Sequence, residues 1–299
     1  MARIEIVEVS PRDGLQNEAV AFTTAQKIEL VARAVDAGFK RIEAASFVNP
    51  KRVPQMADGE AVMAGVPRGR GVRYVGLALN RRGFDRAVAA GCDEVNFVAV
   101  ATETFSRRNQ GASVEQNLAV WKEVAAEART AGIPATLSIS AAFGCPYEGE
   151  VPHARVIEIA ERGAKAGPSE LILADTIGCA VPTDVTALVG AVKSALPEAG
   201  LRCHFHNTRN TGLANAAAAA AAGVTGLDAS IGGIGGCPFA PGATGNVPTE
   251  DLVYMLHRMG HDTGLDLAAL VDLGRWLEGP LGRPVPAALA RAGVFPRAA

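Results

Sequence analysis

Glu94-Val-Asn-Phe-Val-Ala-Val100, then the helical pattern of residues 114–131, then Ala135-Thr-Leu-Ser-Ile-Ser-Ala-Ala142, is the stretch on which the fold turns. The two outer runs are short and apolar. The middle run, from Val114 through Trp121 to Ala131, carries its apolar residues at helical spacing. A strand, a helix and a second strand in this order make a parallel βαβ unit.

The same alternation continues in both directions. Apolar runs at residues 4–9, 41–45, 72–79, 170–174, 201–206 and 226–231 bring the candidate strands to eight, and residues 24–37 add a further helical pattern. Eight such units close a TIM (β/α)8 barrel; an open doubly wound sheet is the other arrangement of this alternation. Residues 1–299 read as one catalytic domain, with extra C-terminal helices from about residue 251 that cap the barrel. No Ser/Gly/Pro linker divides the chain. The alanine run 216–222 follows a strand and stops at Gly223, which reads as a tightly packed helix.

Composition narrows the function classes. With 48% hydrophobic and 20% charged residues the chain is an ordinary globular sequence, not a disordered one. A net charge of −2 lacks the basic excess of a nucleic-acid binder. The longest uncharged stretches are filled with Ala, Gly, Asn, Thr and Pro, so no membrane span is expected. The strand-like 4–9 stretch leaves no signal-peptide core at the N-terminus. Five cysteines, an odd number with no Cys-x-x-Cys pair, point to a reducing cytoplasm.

In a barrel enzyme the chemistry sits where strands end. After the first candidate strand comes Ser10-Pro-Arg12-Asp13-Gly-Leu-Gln16-Asn-Glu18; the second ends near Glu43; the sixth ends at Asp175-Thr176; the seventh at His204-Phe-His206. His204 and His206 are two apart on a strand, so both imidazoles face one side and can reach one ion. Asp13 is the natural carboxylate partner, with an amide oxygen of Asn246 completing a mixed site. Mg²⁺ or Mn²⁺ suits that mixture, and Zn²⁺ and Fe²⁺ stay open on the donors alone. Arg12 supplies positive charge where an oxyanion develops, and Glu43 is placed to hold it by a bidentate pair. The glycine-rich loop 232–246 lacks the dinucleotide spacing and reads as a lid carrying Cys237. Arg107-Arg108-Asn109, after the fourth strand, is a candidate for ligand phosphates.

Several stretches together resemble a known family. They are Ser10 to Glu18, Ser46-Phe-Val-Asn-Pro-Lys51 through Asp58, Gly144-Cys-Pro-Tyr-Glu-Gly149, Asp175-Thr-Ile-Gly178, and Gly233-Ile-Gly-Gly-Cys237-Pro through Leu256. In this order they resemble 3-hydroxy-3-methylglutaryl-CoA (HMG-CoA) lyase, within the TIM-barrel metallolyases. The resemblance implies a homodimeric, Mg²⁺- or Mn²⁺-dependent carbon–carbon lyase of leucine degradation, cleaving a CoA thioester to acetyl-CoA and acetoacetate. It implies Asp13, His204, His206 and Asn246 as metal ligands, and Arg12 and Gln16 as substrate contacts. It further implies Glu43, Asp175, His204 and Cys237 beside Arg12 as catalytic residues.

Two departures bear on the acyl group. Asn207-Thr-Arg209-Asn-Thr211 stands where the lyases carry Asp-Thr-Tyr-Gly-Gln, and Ala19 replaces a basic residue after Gln16-Asn17-Glu18. The Asn resembles the condensing isopropylmalate and homocitrate synthases, while the added charge of Arg209 suits a different carboxylate geometry. Citramalyl-CoA and longer branched glutaryl-CoA esters are therefore alternative substrates. A metal-dependent aldolase acting on a CoA-free hydroxy-keto acid, and a non-catalytic binding relative, are the readings from other classes.

Overall fold

The computed structural model describes residues 3–236 and 245–295. Its centre is a closed ring of eight parallel strands: β1 (Glu5–Glu8), β2 (Arg41–Ser46), β3 (Arg73–Ala78), β4 (Glu94–Val100), β5 (Ala135–Ser140), β6 (Leu171–Asp175), β7 (Leu201–Phe205) and β8 (Gly226–Ala229). Each strand pairs with the next in the chain, and β8 returns to β1 in the register Glu5↔Gly226 to Glu8↔Ala229. That last pairing excludes the open sheet. Strands β2 and β4 are buried along their whole length, as expected where helices cover one face and the barrel interior the other.

The helices begin and end where local chemistry says they should. The helix Val114–Ala131 opens on a reciprocal capping box between Ser113 and Gln116, as Thr24–Asp36 does between Thr23 and Gln26. Trp121 on the former is 1% exposed, lies 5.8 Å from the Phe97 ring and donates Nε1–H to the Gly163 carbonyl at 2.9 Å. Gly163 lets the helix approach closely: a Cβ there would stand 2.2 Å from Leu137 Cδ2 and force that side chain to shift. The alanine run forms the helix Gly212–Ala221, with Gly223 just beyond it. The C-terminal region supplies Thr249–Arg258, Leu267–Leu281 and Ala288–Ala292. Of these, Leu267–Leu281 lies against Thr24–Asp36, with Arg33 stacked 4.8 Å over the Trp276 ring. None of the described helices is long and apolar enough to cross a membrane.

One layer of the barrel interior is ionic. Arg41 pairs with Glu94 and with Glu170 (2.9 Å); Arg202 pairs with Glu170 (2.9 Å) and with Asp228 (2.6 Å). Arg41, Glu94 and Arg202 are at most 4% exposed, so these charges are sustainable only as an alternating set.

Two further buried carboxyls tie the loops to the barrel rim. Glu8, at the end of β1, accepts from Ser10 N, Ile231 N and Thr249 Oγ1 at 2.8, 3.0 and 2.7 Å. Glu250 accepts from Gly232 N at 3.0 Å. Burial pushes Glu8 up to about 7 and Glu250 up to about 8. Both therefore keep a proton in the folded state at pH values where the unfolded chain has released it, and stability falls as pH rises through these values. Burial lowers His206 to about 4, which acts in the opposite direction below its ordinary value of 6.5. The carboxyls thus act unopposed by it from pH 6.5 to 8. In metal-free buffer the melting temperature is expected to drop by roughly 4 °C over that interval, and Glu250→Gln to remove the larger part of the carboxyl contribution. A flat profile in the parent protein would refute the assignment.

Candidate active site and metal centre

β1 does not run straight into a loop. It turns through a single π-helical turn, Ser10–Gly14, in which the Val9 carbonyl accepts from Arg12 N, Asp13 N and Gly14 N. Single turns of this kind are frequent at functional sites. Here the turn aims Arg12 and Asp13 over the open end of the barrel.

Arg12 is 9% exposed and held from two directions. Its Nε donates to Glu43 Oε2 at 2.6 Å, Nη2 lies 2.5 Å from the same oxygen, and Nη1 donates to Asp13 Oδ1 at 2.5 Å. The contact with Glu43 is therefore not one nitrogen per oxygen, as a bidentate pair would be. Two nitrogens share Oε2 because Asn96 Nδ2 takes Oε1 at 3.1 Å. Burial opposes the Arg12 charge, but Glu43 and Asp13 more than offset it and raise its pKa. The same pairing and the two nearby imidazoles hold Asp13 well below the usual carboxylate range despite its burial.

His204 ends up beside Asp13 through β7. His206 lies one residue past the strand and is fixed by a bridge to Asn246. The two imidazole rings are 5.1 Å apart, and ligand atoms of Asp13, His204 and His206 all lie within 4.8 Å of one another. Asn246 donates Nδ2–H to Asp13 Oδ2 at 2.7 Å and to the Ile234 carbonyl at 3.1 Å. Since a carbonyl only accepts, the amide can face only one way, and its Oδ1 is left buried without a hydrogen bond, as is His206 Nδ1. An orphaned buried acceptor costs about 1–3 kcal/mol. One carboxylate, two imidazoles and a free amide oxygen suit a hard or borderline divalent cation, so the residues fit the expected metal. Gly235 allows the loop to approach: at φ +107° a Cβ would sit 2.6 Å from Asn246 Nδ2.

Asp228 is a functional residue that sequence reasoning missed. The register of β8 against β7 sets it beside His204, and its Oδ2 lies 3.2 Å from His204 Nδ1. A carboxylate is an acceptor, so Nδ1 carries the proton and Nε2 the lone pair that faces the site. Burial would lower the His204 pKa; the Asp228 hydrogen bond and the charges of Asp228 and Asp13 reverse this and raise it. Asp228→Asn is expected to weaken Mn²⁺ binding about 10–100-fold, measured by calorimetry on protein shown to be folded. An unchanged affinity would remove Asp228 from the metal centre.

These groups open into a cavity of about 560 Å³, within the size range of small-molecule sites. Gln16, with an unpartnered Oε1, lies on its wall, and Asn49, Arg52 and Asn109 lie further along it. The structure brings Arg12, Asp13, Glu43, His204, His206 and Asn246 together, but turns Asp175 away. Asp175 is fully buried, accepts from Cys179 N (2.9 Å) and Ala180 N (3.1 Å), and is absent from the cavity wall, where Ala174 and Thr176 stand. Its side chain closes the loop after β6. Burial raises its pKa. Arg209 is also committed elsewhere, donating to the carbonyls of Ile177 and Gly178 at 3.0 and 2.8 Å. Arg108 lies 4.4 Å over the Tyr147 ring. Cys237 lies outside the described residues.

Comparison with known proteins returns acyl-CoA lyases. The chain is 43% identical to the (R)-citramalyl-CoA lyase of Chloroflexus aurantiacus, over 99% of this chain and 97% of that protein. It is also 43% identical to the mitochondrial hydroxymethylglutaryl-CoA lyase of Gallus gallus, over 94% of each. An HMG-CoA lyase from Acinetobacter baumannii, solved in complex with coenzyme A and 3-methylmalate, superposes with a TM-score of 0.94 at 42% identity, covering 99% of this chain and 97% of that one. The model of the HMGL-like family matches residues 3–277, and the chain belongs to that family.

Proposed function

We propose that the protein is a metal-dependent carbon–carbon lyase that cleaves 3-hydroxy-3-methylglutaryl-CoA to acetyl-CoA and acetoacetate, with residues 1–299 acting as one catalytic domain. The observation that carries this reading is Arg12 locked beside Asp13, His204 and His206 on the wall of one cavity, with Asn246 hydrogen-bonded to Asp13 behind them. A divalent cation held by those four residues supplies Lewis acidity that makes the substrate's tertiary hydroxyl a stronger acid.

The chain's own groups perform the remaining work. Both Asp13 oxygens are occupied, Oδ1 by Arg12 and Oδ2 by Asn246, whereas His204 Nε2 makes no hydrogen bond among the described residues. His204 Nε2 can hold the ion or a proton but not both, so His204, backed by Asp228 at Nδ1, serves as acceptor of the hydroxyl proton only when released from the ion. As the C3–OH becomes a ketone, the C2–C3 bond breaks and its electron pair moves into the thioester enolate. Arg12 stabilises that enolate oxygen; Glu43 and Asp13 hold the guanidinium ready, so no reorganisation is needed when charge appears. An acid near Cys237, as the resemblance implies, gives its proton to the enolate carbon and completes acetyl-CoA.

The reading carries with it Mg²⁺ or Mn²⁺ as the ion, a homodimer, a cytoplasmic location and a role in leucine breakdown. The free thiols of Cys92, Cys145, Cys179 and Cys203 support a reducing compartment. Citramalyl-CoA is the second reading, favoured by the 43% identity to the Chloroflexus enzyme. The deciding experiment is an acetyl-CoA release assay with Mn²⁺ on HMG-CoA, citramalyl-CoA and the corresponding free acids. Fast release from HMG-CoA is expected; release from citramalyl-CoA alone transfers the assignment, and silence on every thioester rejects it.

A further inference from the structure

The two oxygens of Glu43 serve different partners, and the second partner leads away from the active site. Oε2 belongs to Arg12 and Oε1 to Asn96 on β4. Asn96 is 5% exposed, and its own amide oxygen is engaged on the far side: Ser138 Oγ donates to Oδ1 at 2.9 Å and Thr136 Oγ1 at 3.3 Å, both from β5. A barrel interior is ordinarily filled with branched aliphatic side chains at such positions. A buried amide is tolerated there only when its hydrogen bonds are made, and this one has partners at both ends.

The direction of the chain of bonds is determined by chemistry. An ionised Glu43, paired as it is with Arg12, accepts only, so the NH₂ end of Asn96 must face it. The amide oxygen must then face β5, where both hydroxyls turn to donate. The torsion of a carboxylate about its last bond is broad and two-fold, so an unsupported Glu43 would swing and offer Arg12 either oxygen. Asn96 removes that freedom. Asp13 holds the guanidinium on the other side.

We propose that Asn96, backed by Ser138 and Thr136, is a positioning residue that fixes Glu43 and through it the guanidinium of Arg12. The functional part of the claim rests on the reading of Arg12 as the enolate-stabilising group.

Asn96→Leu removes the hydrogen bonds while keeping the same branched outline of heavy atoms. It is expected to lower kcat about 10–100-fold, the cost of a misplacement near 1 Å, while KM and the Mn²⁺ dissociation constant stay within about 2-fold. The same exchange made on top of Arg12→Gln is expected to cost nothing further, because the group it positions is gone. Wild-type kcat in Asn96→Leu overturns the proposal. So does an undiminished penalty in the Arg12→Gln background, or a loss of kcat that tracks a lower melting temperature and weaker Mn²⁺ binding. Should Asn96→Leu fail to fold, the pair Ser138→Ala and Thr136→Val must show the same kcat-only loss, and normal turnover there overturns it equally. The Arg12 Nε–H resonance in ¹⁵N-labelled protein, identified by its disappearance in Arg12→Gln, tests the geometry without any substrate. A clear shift in Asn96→Leu is expected and an unmoved signal refutes the positioning role. If no thioester is cleaved by the parent protein, the functional assignment falls, while this resonance still decides the role of Asn96.

Discussion

Arg12→Gln is expected to lower turnover about 10³-fold or more while Mn²⁺ affinity stays within about 3-fold. The enolate formed when the carbon–carbon bond breaks carries a full charge that the ground-state thioester lacks. An interaction made only at that stage lowers kcat and kcat/KM together. Loss of one fixed donor to an oxyanion costs about 10²–10³ in rate, and a buried guanidinium fixed between two carboxylates belongs at or above the top of that range. A factor of 10³ is about 4 kcal/mol of barrier. Glutamine keeps an amide donor yet loses both the charge and the bonds to Glu43 and Asp13. Arg12→Lys is a poor rescue for the same reason, since an ammonium cannot span two carboxylates in the planar manner of a guanidinium. Turnover within about 10-fold of the parent in Arg12→Gln would show that charge stabilisation lies elsewhere.

The second large effect concerns His206→Ala. Ligand that binds only the folded state stabilises it by RT ln(1 + [L]/Kd), about 2.7 kcal/mol at a hundredfold excess over Kd. For a chain of this length that raises the melting temperature by roughly 4 °C when Mn²⁺ is added at that excess. His206→Ala is expected to abolish both this shift and turnover, because it removes one of three convergent ligands while the backbone bridge to Asn246 stays in place. The measurement is a thermal melt with and without Mn²⁺, followed by an EDTA titration of activity. A parent protein whose melt ignores Mn²⁺ would dismiss the metal centre altogether.

How much of this was readable beforehand depended on whether the signal was local. His204-x-His206 and Arg12-Asp13 are adjacent in the chain, so strand periodicity and strand ends sufficed to place them. Glu43 is legible as a β2 residue, next to β1 in a parallel ring, but it stands third in a strand that runs on to Ser46 rather than at the strand's end. Asp228 and Asn96 looked like single polar interruptions of apolar strands, and their meaning lies in register. Asp228 stands beside His204 only because β8 pairs with β7 at that offset; Asn96 meets Thr136 only because β4 and β5 pair as they do. Asp175 shows the converse limit. Its position at the end of β6 was correct, but the direction of its side chain is decided by the backbone amides of Cys179 and Ala180, which the loop presents after folding. Arg209 likewise found carbonyl acceptors across the rim at Ile177 and Gly178.

The ionic layer of Arg41, Glu94, Glu170, Arg202 and Asp228 has a consequence for the breadth of the stability curve. Exposure of apolar surface on unfolding raises the heat capacity by about 0.45 cal/mol/K per Å², whereas exposure of polar surface lowers it by about 0.26. A barrel that fills one interior tier with guanidinium and carboxylate groups therefore unfolds with a smaller heat-capacity increment than one filled with Val, Ile and Leu. The free energy of unfolding then curves less with temperature. Cold and heat denaturation move apart for the same maximal stability, and the thermal range over which the barrel persists widens.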